Sequence, residues 1–205
     1  MKDIIIFDYD GVIADSLDFV IDIYNDLAPK YSLGKIKDKK EFTEFFNGNF
    51  FQGLKDNGIK PEISEKFLKD MTDQLAEHTE KTPFFDGIKE TLEELAENYK
   101  LMIITSNLSR VVKKNLDKKD ITSIGEVVGA DKEKSKVKKI EKVTKENPER
   151  AIYYVGDTVG DIYEGRKAGV TTIGVTWGFH DKEKMESAEP DHLVDSLKEL
   201  EILFE

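Results

Sequence analysis

The chain has 205 residues, 39% of them hydrophobic and 36% charged, with a net charge of −11. That length allows one full core plus a small accessory lobe, and no segment reaches the about 18 apolar residues that a membrane span requires. With no cysteine, disulfides, thiolate nucleophiles and Cys-based zinc sites are excluded, and the acidic balance opposes nucleic acid, whose binding proteins need a basic face.

The first element is an apolar run, Asp3–Phe7, read as a buried parallel strand. It is cut short by Asp8 and Asp10 and offers no small-residue cleavage site, so no signal peptide is expected. Leu17, Val20, Ile21, Tyr24 and Ala28 then form a helical stripe ended by Pro29. Phe42, Phe45 and Phe46 predict a second helix, and Ile63, Phe67, Met71 and Leu75 a third, with Pro61 in its first turn. From Asp15 to about Thr82 no strand is predicted, and an insert that large is rarely a loop. It reads as a helical cap over the C-terminal edge of a sheet. Ile88, Leu92 and Leu95 share a helical face behind Asp86, a candidate N-cap. Strands follow at Leu101–Thr105 and Glu126–Gly129. Val137, Ile140 and Val143 mark a helix that ends at Asn147-Pro148. Then come a strand at Ile152–Val155, a short helix from Asp161 to Ala168 stopped by Gly169, and a strand at Thr171–Val175. This alternation predicts an α/β doubly wound sheet, with a core of residues 1–14 and 83–205 and a helical cap of 15–82.

Ligands of open α/β sheets bind beyond the carboxyl ends of the strands. Those ends carry Asp8-Tyr9-Asp10-Gly11, Thr105-Ser106-Asn107 and Gly156-Asp157-Thr158-Val159-Gly160-Asp161, while Lys134 and Lys136 stand before a helix. Taken singly, each group is an ordinary turn, cap or solvated charge. Together they form a chemical set. Clustered carboxylates repel one another, a divalent cation relieves the conflict, and an all-oxygen donor set favours magnesium. The cation would also give an acidic protein its positive spot for an anionic substrate. Asp8 is then placed to attack phosphorus and form an acyl phosphate. Asp10 is placed to protonate the leaving oxygen and later to deprotonate water.

These motifs resemble the haloacid dehalogenase-like hydrolases, and among them the phosphoglycolate-phosphatase-like branch with a helical cap. The likeness rests on Ile4–Val12, Leu101–Thr105, a lysine before a helix, Tyr154–Asp161, Asp15-Ser16, Arg166-x-Ala168-Gly169 and Val175-Thr176-Trp177-Gly178. It implies a five-stranded parallel sheet of order 5-4-1-2-3. It implies Asp8 as nucleophile and magnesium ligand, and Asp10 as acid/base and ligand through its carbonyl. Thr105, with backbone N–H groups near Ser106 and Asn107, would hold the phosphoryl oxygens. Asp157 would complete the Mg2+ site, and Asp161 would stand behind it, orienting a water or the lysine. Lys134-Ser135-Lys136-Val137 replaces the family's Lys-Pro-x-Pro, so two lysines compete. Ser135 is placed to N-cap the helix, which favours Lys136.

The expected function is magnesium-dependent hydrolysis of a small phosphomonoester, phosphoglycolate-like or a sugar phosphate. The alternatives are a sugar-phosphate mutase or a catalytically silent binding protein. Asp10 argues against dehalogenation, and the helical insert against a receiver domain. A phosphonate hydrolase would need a cap lysine, for which Lys30, Lys35 and Lys37 are candidates. Phe42, Phe45, Phe46, Phe50 and Phe51 read as cap core, with Asn47, Gly48 and Asn49 as candidate substrate contacts. Trp177 and His180 read as a packed loop, His78 as an exposed helical residue and His192 as part of a surface loop. The expected partner is a small phosphorylated metabolite, not nucleic acid or membrane. The expected setting is a monomer or homodimer in the cytoplasm.

Overall fold

The computed structural model describes residues 2–45, 50–78 and 82–205, with backbone alone at 45, 50–52 and 78. Asn47, Gly48, Asn49 and Phe46 lie outside the described residues, as do the side chains of Phe45, Phe50, Phe51 and His78, so the expected exposure of His78 lies outside them too.

Six parallel strands form the sheet: β1 (Ile4–Phe7), β2 (Lys100–Ile104), β3 (Ile124–Val128), β4 (Ile152–Gly156), β5 (Thr171–Val175) and β6 (His192–Val194). Their order is β3-β2-β1-β4-β5-β6. The five-stranded expectation is thereby corrected: β1 still stands between β2 and β4, but β6 is added beside β5. His192 therefore opens an edge strand and not a surface loop. Asp191 secures that edge, its Oδ2 accepting from the Thr172 N–H and hydroxyl, each at 2.8 Å.

The four β1 residues are all buried, because helices cover both faces of the sheet. Ile5, Phe7, Leu101 and Ile103 pack one face with α5 (Ile88–Asn98), α6 (Ser109–Lys118) and α10 (Leu197–Leu203). Ile4, Ile6, Met102 and Tyr154 pack the other with α7 (Lys136–Glu146). Also present are α8 (Val159–Lys167) and α9 (Lys182–Ser187). Asp86 does not cap α5; Gly87, at φ 85°, occupies that place, a left-handed turn that suits glycine.

After β1 the chain leaves the sheet at Ala14 and returns at Phe84, and these two residues form an antiparallel bridge. The Asp15 N–H donates to the Pro83 carbonyl at 3.0 Å, and the Phe85 N–H to the Ile13 carbonyl at 3.2 Å. Between these crossings lie α1 (Leu17–Leu27), a 3-10 turn (Ala28–Tyr31), α2 (Lys39–Phe45), α3 (Phe50–Asp56) and α4 (Pro61–His78). Leu17, Ile21, Tyr24, Phe42, Leu54, Phe67 and Met71 give this segment its own apolar cluster. Among the described residues, no helix is long and apolar enough to cross a membrane.

Candidate active site

Phe7 pairs with Ile103 on one side and Val155 on the other. The residues just beyond these strands, Asp8, Thr105 and Asp157, therefore emerge side by side. All three are buried. The Asp8 N–H prolongs the ladder, donating to the Val155 carbonyl at 2.9 Å. Gly11 then turns the chain at φ 80°; a Cβ there would lie 1.9 Å from Asp157 Oδ2. Gly178 has the same constraint from above, with a hypothetical Cβ 2.4 Å from that oxygen. Two glycines thus let two backbone segments close around one carboxylate.

Lys136 lies at the first position of α7, behind the N-cap Ser135, whose side chain accepts from the Lys138 N–H. Its Nζ donates to Asp8 Oδ2 and to Asp161 Oδ1, both at 2.7 Å. Lys134, the competing lysine, is exposed. Asp161 is saturated with protein donors. Oδ1 also accepts from the Tyr154 hydroxyl at 3.0 Å, and Oδ2 accepts from the Thr158 N–H at 3.1 Å and hydroxyl at 2.6 Å. Asp157 differs. Its Oδ2 accepts from the Phe179 N–H at 2.7 Å, but its buried Oδ1 has no partner among the described residues.

The charges follow from this arrangement. Burial pushes the Asp8 carboxyl up to about 7, with Lys136 pulling it down and Asp161 pushing it up. Burial, Asp161 and Asp8 hold Asp157 well above the usual carboxylate range. Asp161 is lowered, because Lys136, Thr158 and Tyr154 outweigh its burial. Asp10 is raised by burial, against Ser16 and Asn107 beside it. One oxygen from each of Asp8, Asp157 and Asp161 lies within 4.8 Å of the others. A bare buried carboxylate oxygen in an all-oxygen cluster fits a hard divalent cation. Asp161 stands in this cluster where the sequence suggests Asp10, but its oxygens are taken up by other donors. Asp10 is expected to ligate through its carbonyl.

Thr105 follows β2, and its Oγ1 accepts from the Asn107 N–H at 2.9 Å. That N–H, expected to face a phosphoryl oxygen, is thus already engaged. Ser106 is exposed at the tip of the turn. Three contributors were not foreseen. Lys139 is buried and donates to the Thr105 carbonyl at 2.6 Å; burial, and then Lys136, bring it down to about 8. Tyr154 braces Asp161. Asn115 donates from Nδ2 to the Tyr9 hydroxyl at 2.6 Å, tying α6 to the loop between Asp8 and Asp10.

Other singled-out residues have structural partners. Trp177 Nε1 donates to the Val12 carbonyl at 3.3 Å, bracing the first loop. His180 is buried, its Nδ1 accepting from the Val159 N–H at 3.0 Å, and burial lowers it to about 4. Lys30 is exposed and pairs with Asp70, while Lys35 and Lys37 are exposed.

The family model for haloacid dehalogenase-like hydrolases matches residues 5–175. The chain belongs to that family. It is 28% identical over 200 residues to a phosphoglycolate phosphatase of Synechococcus elongatus, covering 96% of this chain and 94% of the relative. It is 27% identical over 208 residues to the pyrophosphatase PpaX of Bacillus velezensis, covering 96% and 93%. A haloacid dehalogenase-like family hydrolase from Streptococcus pneumoniae has the same fold, with TM-score 0.86, 19% identity and coverage of 100% and 99%. Among the family's hydrolases, the chain stands with the phosphoglycolate-phosphatase-like phosphatases.

Proposed function

We propose that the chain is a magnesium-dependent phosphatase that hydrolyses a small phosphomonoester through an aspartyl phosphate on Asp8. The observation that carries this reading is the bare Oδ1 of Asp157 beside the Asp8 carboxylate, with Lys136 bound to Asp8. Asp8, Asp157 and the Asp10 carbonyl would hold the cation, which supplies charge neutralisation for the phosphoryl oxygens. Asp161, with its oxygens engaged, fixes Lys136 and does not ligate.

An Asp8 carboxylate oxygen forms a bond to phosphorus as the ester P–O bond breaks. Asp10, whose carboxyl burial raises above its ordinary value, gives its proton to the leaving oxygen. It then takes a proton from water as that water attacks phosphorus, and the Asp8–phosphorus bond breaks. Lys136 lowers the cost of charge on Asp8 at both stages. The segment 15–82 would be the cap that covers the site and excludes water. The names of the relatives make phosphoglycolate the first substrate to try and pyrophosphate the second.

Hydrolysis of p-nitrophenyl phosphate should require magnesium and stop with chelator. Asp8→Asn should abolish turnover while the circular dichroism spectrum stays native. Turnover that survives chelation, or an active Asp8→Asn, would reject the mechanism.

A further inference from the structure

Lys136 and Lys139 lie three residues apart on α7 and so share one helix face. Both are buried, yet they serve different motifs. Lys136 goes to the nucleophile Asp8, and Lys139 to the carbonyl of Thr105 at 2.6 Å. That carbonyl lies one residue beyond the end of β2. In a planar trans peptide the C=O and the following N–H point to opposite sides. Whatever grips the Thr105 carbonyl therefore aims the Ser106 N–H. The Asn107 N–H is already spent on Thr105 Oγ1. Ser106 N–H is the donor that this turn has left, with no acceptor among the described residues.

We propose that Lys139 is a positioning residue, which locks the Thr105–Ser106 peptide so that the Ser106 N–H faces the phosphoryl oxygens. This rests on the phosphatase reading of the site and adds to it a second lysine with a separate task. One helix then sets both halves of the reaction: its first residue holds the attacking carboxylate, and the residue one turn on holds the donor for the phosphoryl group. A preset donor costs no reorganisation as charge develops, which is where such groups contribute most.

The test compares the full chain with Lys139→Met, Lys139→Arg and the exposed control Lys138→Met, using p-nitrophenyl phosphate with magnesium. Lys139→Met should lower kcat by about 10- to 100-fold, up to the scale of a lost oxyanion donor. Its inhibition constant for orthovanadate, a transition-state mimic, should rise in step. Lys139→Arg, which keeps a donor, should restore part of both, and Lys138→Met should change neither. A Lys139→Met protein with a lower Tm but wild-type kcat and vanadate inhibition would show a merely structural lysine and overturn the proposal. If Lys139→Met does not fold, the unmutated protein decides: its Ser106 amide proton resonance should move downfield with orthovanadate, and an unmoved resonance overturns the proposal. A wild-type chain without magnesium-dependent turnover rejects the phosphatase reading itself, and this inference with it.

Discussion

At Asp157 a carboxylate is buried with one oxygen unpartnered, next to two further acids. Its pKa is raised by that burial and by Asp161 and Asp8, so the folded protein binds a proton that the unfolded chain releases above about pH 4. Such a group subtracts stability as pH rises. Without metal, Asp157→Asn should therefore be more stable than the wild type, and the difference in Tm should widen from pH 4 towards pH 7. With magnesium at 100 times its dissociation constant, the wild type should gain about 2.7 kcal/mol, roughly 5–10 °C in Tm. The variant should gain far less. Thermal melts in chelator and in magnesium check both; a gap that stays flat with pH, or equal gains with magnesium, would remove Asp157 as a ligand. Asp8, Thr105 and Asp157 were legible because each follows a short, mostly apolar run whose strand identity is plain. Lys139 was not, because it ends a stretch with lysines at 132, 134, 136, 138 and 139. Only the phase of α7 decides which of these turn inward. Tyr154 reads as one more apolar strand residue until its hydroxyl is found on Asp161, seven residues away.

The elements hold these side chains at their ends. Ser135 starts α7 so that Lys136 falls on the side of Asp8, and Thr158 starts α8 so that Asp161 falls on the side of Lys136. In α8 the Thr158 side chain accepts the Asp161 N–H while the Asp161 carboxylate accepts the Thr158 N–H, a reciprocal capping box. The acid that secures Lys136 is thus also part of its own helix start. The two caps should respond differently to removal. Ser135→Ala should cost about 1 kcal/mol, or roughly 2–4 °C in Tm, with kcat little changed, because Lys136 keeps both its carboxylates. Differential scanning calorimetry beside steady-state kinetics reads this; a collapse in kcat with an unmoved Tm would mean that the cap sets Lys136 directly. The cap at Ser135 could be anticipated from the residue type and the apolar phase of Val137, Ile140 and Val143. Strand β6 could not. Three residues are too few to show alternation, and its position depends on Asp191 clasping Thr172 across nineteen residues of chain.

Across the whole molecule, the helical segment 15–82 and the sheet meet at the same place as the chemistry. Phe179 belongs to the loop after β5, yet its ring packs with the apolar cluster of that segment. It meets the Phe42 ring edge-on at 6.1 Å. Its backbone N–H holds Asp157, and its ring presses on Gly11, where an added Cβ would come within 2.8 Å. Lys184 on α9 adds a second tie, donating to the Thr43 carbonyl at 3.0 Å. Phe179 therefore makes two kinds of contact, from its backbone to Asp157, the proposed metal ligand, and from its ring to the helical segment 15–82, the proposed cap. Phe179→Ala keeps the first and removes the ring contacts, to Phe42 and to Gly11. An edge-to-face aromatic pair contributes about 0.5–1.5 kcal/mol, so cap closure should weaken by about 2- to 12-fold. KM for the phosphate ester should rise by that factor, while half-saturation by magnesium stays at the wild-type value, because the N–H to Asp157 remains. Kinetics titrated in substrate and in magnesium separate the two. A shift in magnesium half-saturation as large as the shift in KM would show that the ring, too, sets Asp157, and that cap and metal site are one unit.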